Sequence, residues 1–166
     1  MINYYYGDLF EHVDELLTGG DCVTHFIIHG CNAQGRMGTG FAKTLRAKYP
    51  GAYEEYRKEY SANNNRLQVG SVINYAHSTD LIISNAITQD FYGYDGGKYV
   101  SYDAIDTAFA ELDSIAKVLK TLSGVEEVHF HFPKIGSDLG GGHWDVIESI
   151  IDHRVQNATK NLYELR

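Results

Sequence analysis

A nearly unbroken apolar stretch, residues 23–29, runs directly into four glycines among the eleven residues from Gly30 to Gly40. A strand that is apolar on both faces belongs in the middle of a sheet covered on both sides. Glycines between such a strand and the helix-like stretch 40–49 let backbone N–H groups approach a ligand closely. The helix start adds the positive end of its dipole. That arrangement suits phosphate, although a tight turn with close helix–strand packing accounts for the same glycines without a ligand. The spacing Gly35-x-x-Gly38-x-Gly40 is not the dinucleotide pattern G-x-G-x-x-G. No Gly-Lys-Ser/Thr follows, so it is not a Walker A loop either.

The order strand, glycine loop, helix recurs. Residues 2–6 read as a strand, broken by Gly7-Asp8 before a short helix over 9–17. Pro50 is expected to end the helix that starts at Gly40, with a further helix over 52–60. Strands are predicted over 69–75 and 81–88. A polar, aromatic, glycine-containing loop or mobile rim follows over 89–99. Residues 101–122 form the clearest helix, with Ile105, Ala108, Phe109, Leu112, Ile115, Ala116 and Leu119 at helical spacing. Ser123-Gly124 closes it. A strand over 128–132 leads into a second glycine loop, 133–142. A helix over 143–153 and a short strand over 162–165 complete the chain. Alternation of this kind indicates one α/β domain, residues 1–166, with a largely parallel sheet. Ligands of such sheets bind beyond the carboxyl ends of the strands, where both glycine loops belong.

A net charge of −8 argues against broad, electrostatically driven nucleic-acid binding. It also implies that a phosphate ligand is held by backbone amides more than by Lys/Arg clusters. No apolar run approaches the roughly 20 residues of a spanning helix. The first residues carry no basic or apolar leader pattern, so no membrane association is expected. Two cysteines without a paired framework fit a reducing, cytoplasmic setting. His25, His129 and His131 alternate with apolar neighbours, show no ligand-like clustering and read as structural; a zinc site from His129 and His131 is the alternative, and no metal is expected. Thirteen tyrosines are attributed to core and rim packing.

Three segments, in order, resemble the macrodomain family over nearly the whole chain: Gly7-Asp8-Leu9-Phe10; His29-Gly30-Cys31-Asn32 with Gly38-Thr39-Gly40-Phe41-Ala42; and Pro133-Lys134-Ile135-Gly136-Ser137 through Trp144. The chain is most similar to the branch holding the yeast-type ADP-ribose 1″-phosphate phosphatase and the terminal ADP-ribose protein glycohydrolases. It shares the phosphatase's His-x-Cys-Asn start, its Gly-x-Gly-[Ile/Phe]-Ala helix start and its Arg/Lys-Tyr-Pro helix end. The resemblance implies a three-layer α/β/α fold with a mixed, largely parallel sheet, and a pocket for ADP-ribose or a derivative, with no cofactor.

The same resemblance implies the residue roles. Asp8 accepts from the adenine amino group, beside Leu9; as a plain sequence feature it is a helix N-cap. Asn32 meets the distal ribose, or is a turn residue. His29 is the acid/base candidate, or a satisfied histidine at a strand end. Gly38, Thr39 and Gly40 line the distal ribose and diphosphate. Ser137, Leu139, Gly140 and Gly141 present backbone amides to the diphosphate. Asp138 either supports His29 or is a solvent-facing turn residue. Gln89 stands where the glycohydrolases carry their adduct-forming lysine, and their catalytic aspartate falls on Gly140. That departure favours hydrolysis of ADP-ribose 1″-phosphate to ADP-ribose and phosphate. Removal of ADP-ribose from protein or nucleic acid, and non-catalytic reading of ADP-ribose, remain as alternatives. Cys31 is expected on the strand face opposite His29, which disfavours it as a nucleophile.

Overall fold

A computed structural model of the chain describes residues 1–19, 22–93, 95, 97–137 and 140–165. In chain order the elements are β1 (Ile2–Tyr6), α1 (Leu9–Leu17), β2 (Val23–Asn32), α2 (Gly40–Lys48), α3 (Pro50–Ala62), β3 (Val72–Ala76), β4 (Leu81–Gln89), α4 (Tyr102–Leu122), β5 (Glu127–Phe132), α5 (Trp144–Arg154) and β6 (Thr159–Glu164). The strands form one sheet in the order β1-β6-β5-β2-β4-β3. Every neighbouring pair is parallel except the β3–β4 hairpin at one edge.

The period of two along a strand sorts β2 cleanly between two layers. Phe26 and Ile28 join Ile105, Phe109 and Phe130 in the core beneath α4 and α5. Ile27 packs with Val13 and Leu45 beneath α1 and α2, and Cys31 with Tyr56 beneath α3. The result is the expected three-layer α/β/α sandwich. On α4, Ile105, Ala108, Phe109, Leu112 and Ala116 are buried at helical spacing, and Ser101 Oγ caps the first turn by accepting from Ala104 N at 3.1 Å.

Several boundaries move for identifiable reasons. β2 continues to Asn32 because its pairing with β4 runs on through Gly30↔Ala86 and Cys31↔Ile87. The first glycine of the run is therefore a strand residue. A Cβ on Gly30 would lie 2.7 Å from Thr88 Oγ1 and 2.9 Å from Ile135 Cγ2, so close packing explains it. Pro50 starts α3 instead of merely ending α2, and Tyr49 alone separates the two helices. Proline suits a first helical position because its missing N–H has no intrahelical partner there. β6 begins at Thr159, well before residue 162, because β5 and β1 pair with it on either side.

Three of the histidines on β2 and β5 pack against one another. His25, His129 and His131 all point beneath α1. His25 Nδ1 lies 3.0 Å from His131 Nε2, and His131 Nδ1 lies 2.8 Å from the Tyr163 hydroxyl, which also meets His12 Nδ1 at 2.7 Å. Parallel register places them together, with His25 opposite His129. Burial lowers the pKa of all three, His131 most plainly. Among the described residues, no group of three or more His, Cys, Asp or Glu side chains is placed to hold a metal ion. No described helix is long and apolar enough to cross a membrane.

Candidate functional site

Five parallel strands end at one edge of the sheet, and the segments that follow them enclose two adjoining cavities. The first, about 310 Å³, reaches the ends of β2, β4 and β5. The second, about 630 Å³, reaches the ends of β1 and β6. Gly40, Phe41, Pro133 and Lys134 line both, so the two cavities adjoin along a shared seam.

Asp8 and Leu9 line the second cavity. Asp8 is also the N-cap of α1: its Oδ1 accepts from Phe10 N at 2.8 Å and Glu11 N at 3.4 Å. The cap and the cavity wall coexist because a helix N-terminus that follows β1 opens onto this edge.

Gly38, Thr39 and Gly40 line the first cavity. Gly40 has φ +60, a left-handed conformation that glycine adopts without penalty. Thr39 is the N-cap of α2 but makes no side-chain cap bond. Among the described residues, no side chain caps the first turn of α2, and Gly40, Phe41 and Ala42 all line the cavity. An anion is the natural partner for such a helix start.

His29 lies against the first cavity, yet its side chain is almost wholly buried. Asn85 on β4, directly opposite in register, offers Oδ1 to His29 Nε2 at 2.6 Å. Asn85 is itself oriented by donating Nδ2 to the Ala52 carbonyl at 3.1 Å. Nε2 therefore carries the proton, and Nδ1 is the basic atom of the ring. Burial pushes its pKa down to about 4, against the smaller opposing effect of the Asn85 bond. His29 is a neutral imidazole at ordinary pH.

Cys31 does not lie on the opposite face. Residues two apart on a strand share a face, and Cys31 Sγ sits 3.5 Å from His29 Nε2. Burial pushes its thiol pKa up, which keeps it protonated and unreactive.

Asn32 lines the first cavity and also builds the loop beside it. Its Oδ1 accepts from Gln34 N at 3.0 Å, Arg36 N at 3.3 Å and the Tyr56 hydroxyl at 3.0 Å, while Nδ2 donates to the Arg36 carbonyl at 2.9 Å. Gln89 lines the same cavity from the end of β4 and donates Nε2 to the Phe91 carbonyl at 2.8 Å.

The second glycine loop contributes Gly136 and Gly140 to the wall. Ser137 turns back instead, its hydroxyl donating to the Lys134 carbonyl at 3.0 Å. Gly141 packs against the neighbouring rim, where a Cβ would lie 2.4 Å from the Gly97 carbonyl oxygen. The Gly140 carbonyl accepts from Tyr99 N at 2.7 Å and Val100 N at 3.0 Å, which binds loop and rim together. Asp138 and Leu139 fall outside the described residues.

Residues to which the sequence assigned no role complete the cleft. Thr88 is fully buried, lines the first cavity, and its hydroxyl has no hydrogen-bond partner among the described residues. Such an orphan is rare in a finished core and common where a ligand or water supplies the bond. Arg36 and Tyr92 stand at the mouth, with the guanidinium 6.0 Å from the ring centroid. Lys134 and Glu164 meet where the cavities join. The available signal was the polar set Ser84, Asn85 and Thr88 inside an otherwise apolar strand.

No protein-family model matches the chain. A Lodderomyces elongisporus protein named ADP-ribose 1″-phosphate phosphatase is 31% identical over 167 residues, covering 98% of this chain and 97% of that one. The Candida albicans protein of the same name is 27% identical over 170 residues, covering 98% and 99%. Among solved structures, a macrodomain protein from Streptomyces coelicolor matches with a TM-score of 0.74 at 24% identity, across 99% of both chains.

Proposed function

This chain belongs to the macrodomain family, and from that membership we propose that it binds ADP-ribose and hydrolyses ADP-ribose 1″-phosphate to ADP-ribose and phosphate. The observation that carries the reading is the pair of adjoining cavities, with Asp8 lining the larger and His29, Asn32 and the first turn of α2 lining the other. Adenine lies against Asp8, the diphosphate crosses the seam, and the distal ribose with its phosphate enters the cavity of His29. The full-length yeast relatives named as phosphatases support that choice. Gln89 supports it too, because a carboxamide cannot form the lysine adduct of the glycohydrolases.

In this reading binding energy comes mainly from adenosine and diphosphate contacts remote from the bond that breaks. His29 serves as a base. Its Nδ1 takes a proton from the attacking water as the water oxygen bonds to phosphorus and the phosphorus–sugar oxygen bond breaks; solvent returns a proton to the sugar oxygen. Asn85 positions the ring. Asn32 holds the wall against the ribose, and Asp138 has a secondary role.

Phosphate release from ADP-ribose 1″-phosphate, followed in EDTA, tests the assignment. Wild type is expected to release phosphate. His29→Ala is expected to lower turnover by about 10²-fold or more, with a much smaller change in ADP-ribose affinity. His29→Gln, which can still donate to Asn85, separates loss of the base from loss of packing. Equal loss of affinity and turnover in both variants would remove His29 from catalysis. Absence of release by the wild type would transfer the assignment to a reader or a de-ADP-ribosylating hydrolase.

A further inference from the structure

We propose that Lys134 is a diphosphate-contact residue kept in reserve by Glu164, and that the ion pair between them opens when a ligand lies across the seam of the two cavities. The inference rests on the ADP-ribose reading above. Lys134 Nζ lies 2.6 Å from Glu164 Oε1. Register explains the meeting: β5 and β6 pair in parallel up to Phe132↔Leu162, so Lys134, two residues past the end of β5, follows beside Glu164, the last residue of β6.

Lys134 lines both cavities, and it is the one basic side chain lining the larger of them among the described residues. The carboxylates of Asp8 and Glu164 line that larger cavity as well. A diphosphate arriving there meets two negative side chains on a chain whose net charge is −8. Backbone amides orient the phosphates but do not cancel that field. Lys134 does, once released.

Release is cheap. The side chains of Lys134 and Glu164 are 42% and 28% exposed, and ion pairs in contact with solvent contribute little to stability. A diphosphate carries more charge than the single carboxylate it displaces. The pair also restrains the second glycine loop, because the Lys134 carbonyl accepts from the Ser137 hydroxyl at 3.0 Å. Handing the ammonium to the ligand therefore joins that loop to the diphosphate.

Calorimetric titration of ADP-ribose and of adenosine into wild type, Lys134→Gln, Glu164→Gln and the double variant, at low and high salt, tests this. Lys134→Gln should weaken ADP-ribose binding about fivefold at low salt and flatten its salt dependence, with adenosine unchanged. Glu164→Gln should tighten ADP-ribose by about two- to fivefold, and the gain should vanish in the double variant. Unchanged ADP-ribose affinity in both single variants overturns the proposal, as does an equal change for adenosine. If wild type binds neither compound, the ADP-ribose reading itself fails and takes this inference with it.

Discussion

His29 shows how burial decides what a titratable group can do. A histidine held neutral with a pKa of about 4 cannot supply a proton as imidazolium near neutrality, but near neutrality it is available as a base. If it is the base, phosphate release should stay level from about pH 5 to about pH 8 and fall as pH drops toward 4, with no inflection near 6.5. A pH–rate profile with a midpoint near 6.5 would point to another group. Thr88 makes a different kind of prediction. Thr88→Val removes a buried hydroxyl with no partner among the described residues. It should raise the stability of the free protein by about 1 kcal/mol while weakening ligand binding, opposite signs that thermal melts and titrations would read separately. Asp8→Ser keeps a capping oxygen but withdraws the carboxylate from the cavity, so ADP-ribose affinity should fall while the melting temperature barely moves. The sequence marked Asp8, Asn32 and His29 through their neighbours along the chain. Asn85 escaped notice because its partner, His29, is 56 residues away and meets it only through strand register.

The elements were easier to read than their contacts. The helical spacing of α4 and the glycine punctuation of both loops are local patterns, and each element formed close to its predicted place. Pairing between strands is not local. His25, His129 and His131 looked like isolated polar positions because each alternates with apolar neighbours; only parallel register reveals the shared patch beneath α1. Their folded pKa values lie below the ordinary 6.5, chiefly through burial. Above pH 6.5 the folded and unfolded chains both hold these rings neutral, and stability is complete. Below it the unfolded chain takes up protons that the folded chain resists, so stability declines as pH falls toward the folded values. The urea midpoint should therefore drop between about pH 7.5 and about pH 5.5, and His131→Gln should shallow that slope. A midpoint that stays level over this range would show that the cluster accepts protons without loss of packing.

At the scale of the molecule, the three-layer fold was legible because burial leaves a simple imprint: an apolar central strand, amphipathic helices, and turns rich in glycine. The cleft was legible as a location, since parallel strands send all their loops to one edge. Its division into two cavities with a bridging ion pair was not, because that depends on which strands end up as neighbours. The sheet order places β1 beside β6, with Ile2 opposite Lys160, although they are the first and last strands in sequence. The backbone of Gly7 completes this union by donating to the Glu164 carbonyl at 2.8 Å. Synthesis delivers β1 before the other five strands, yet it has no sheet neighbour until β6 has been made. Closing so long a loop is entropically slow. The wall of the cleft that holds Asp8 therefore cannot be finished until β6 has been made, so any ligand that depends on Asp8 reports that the two outermost strands in sequence have met.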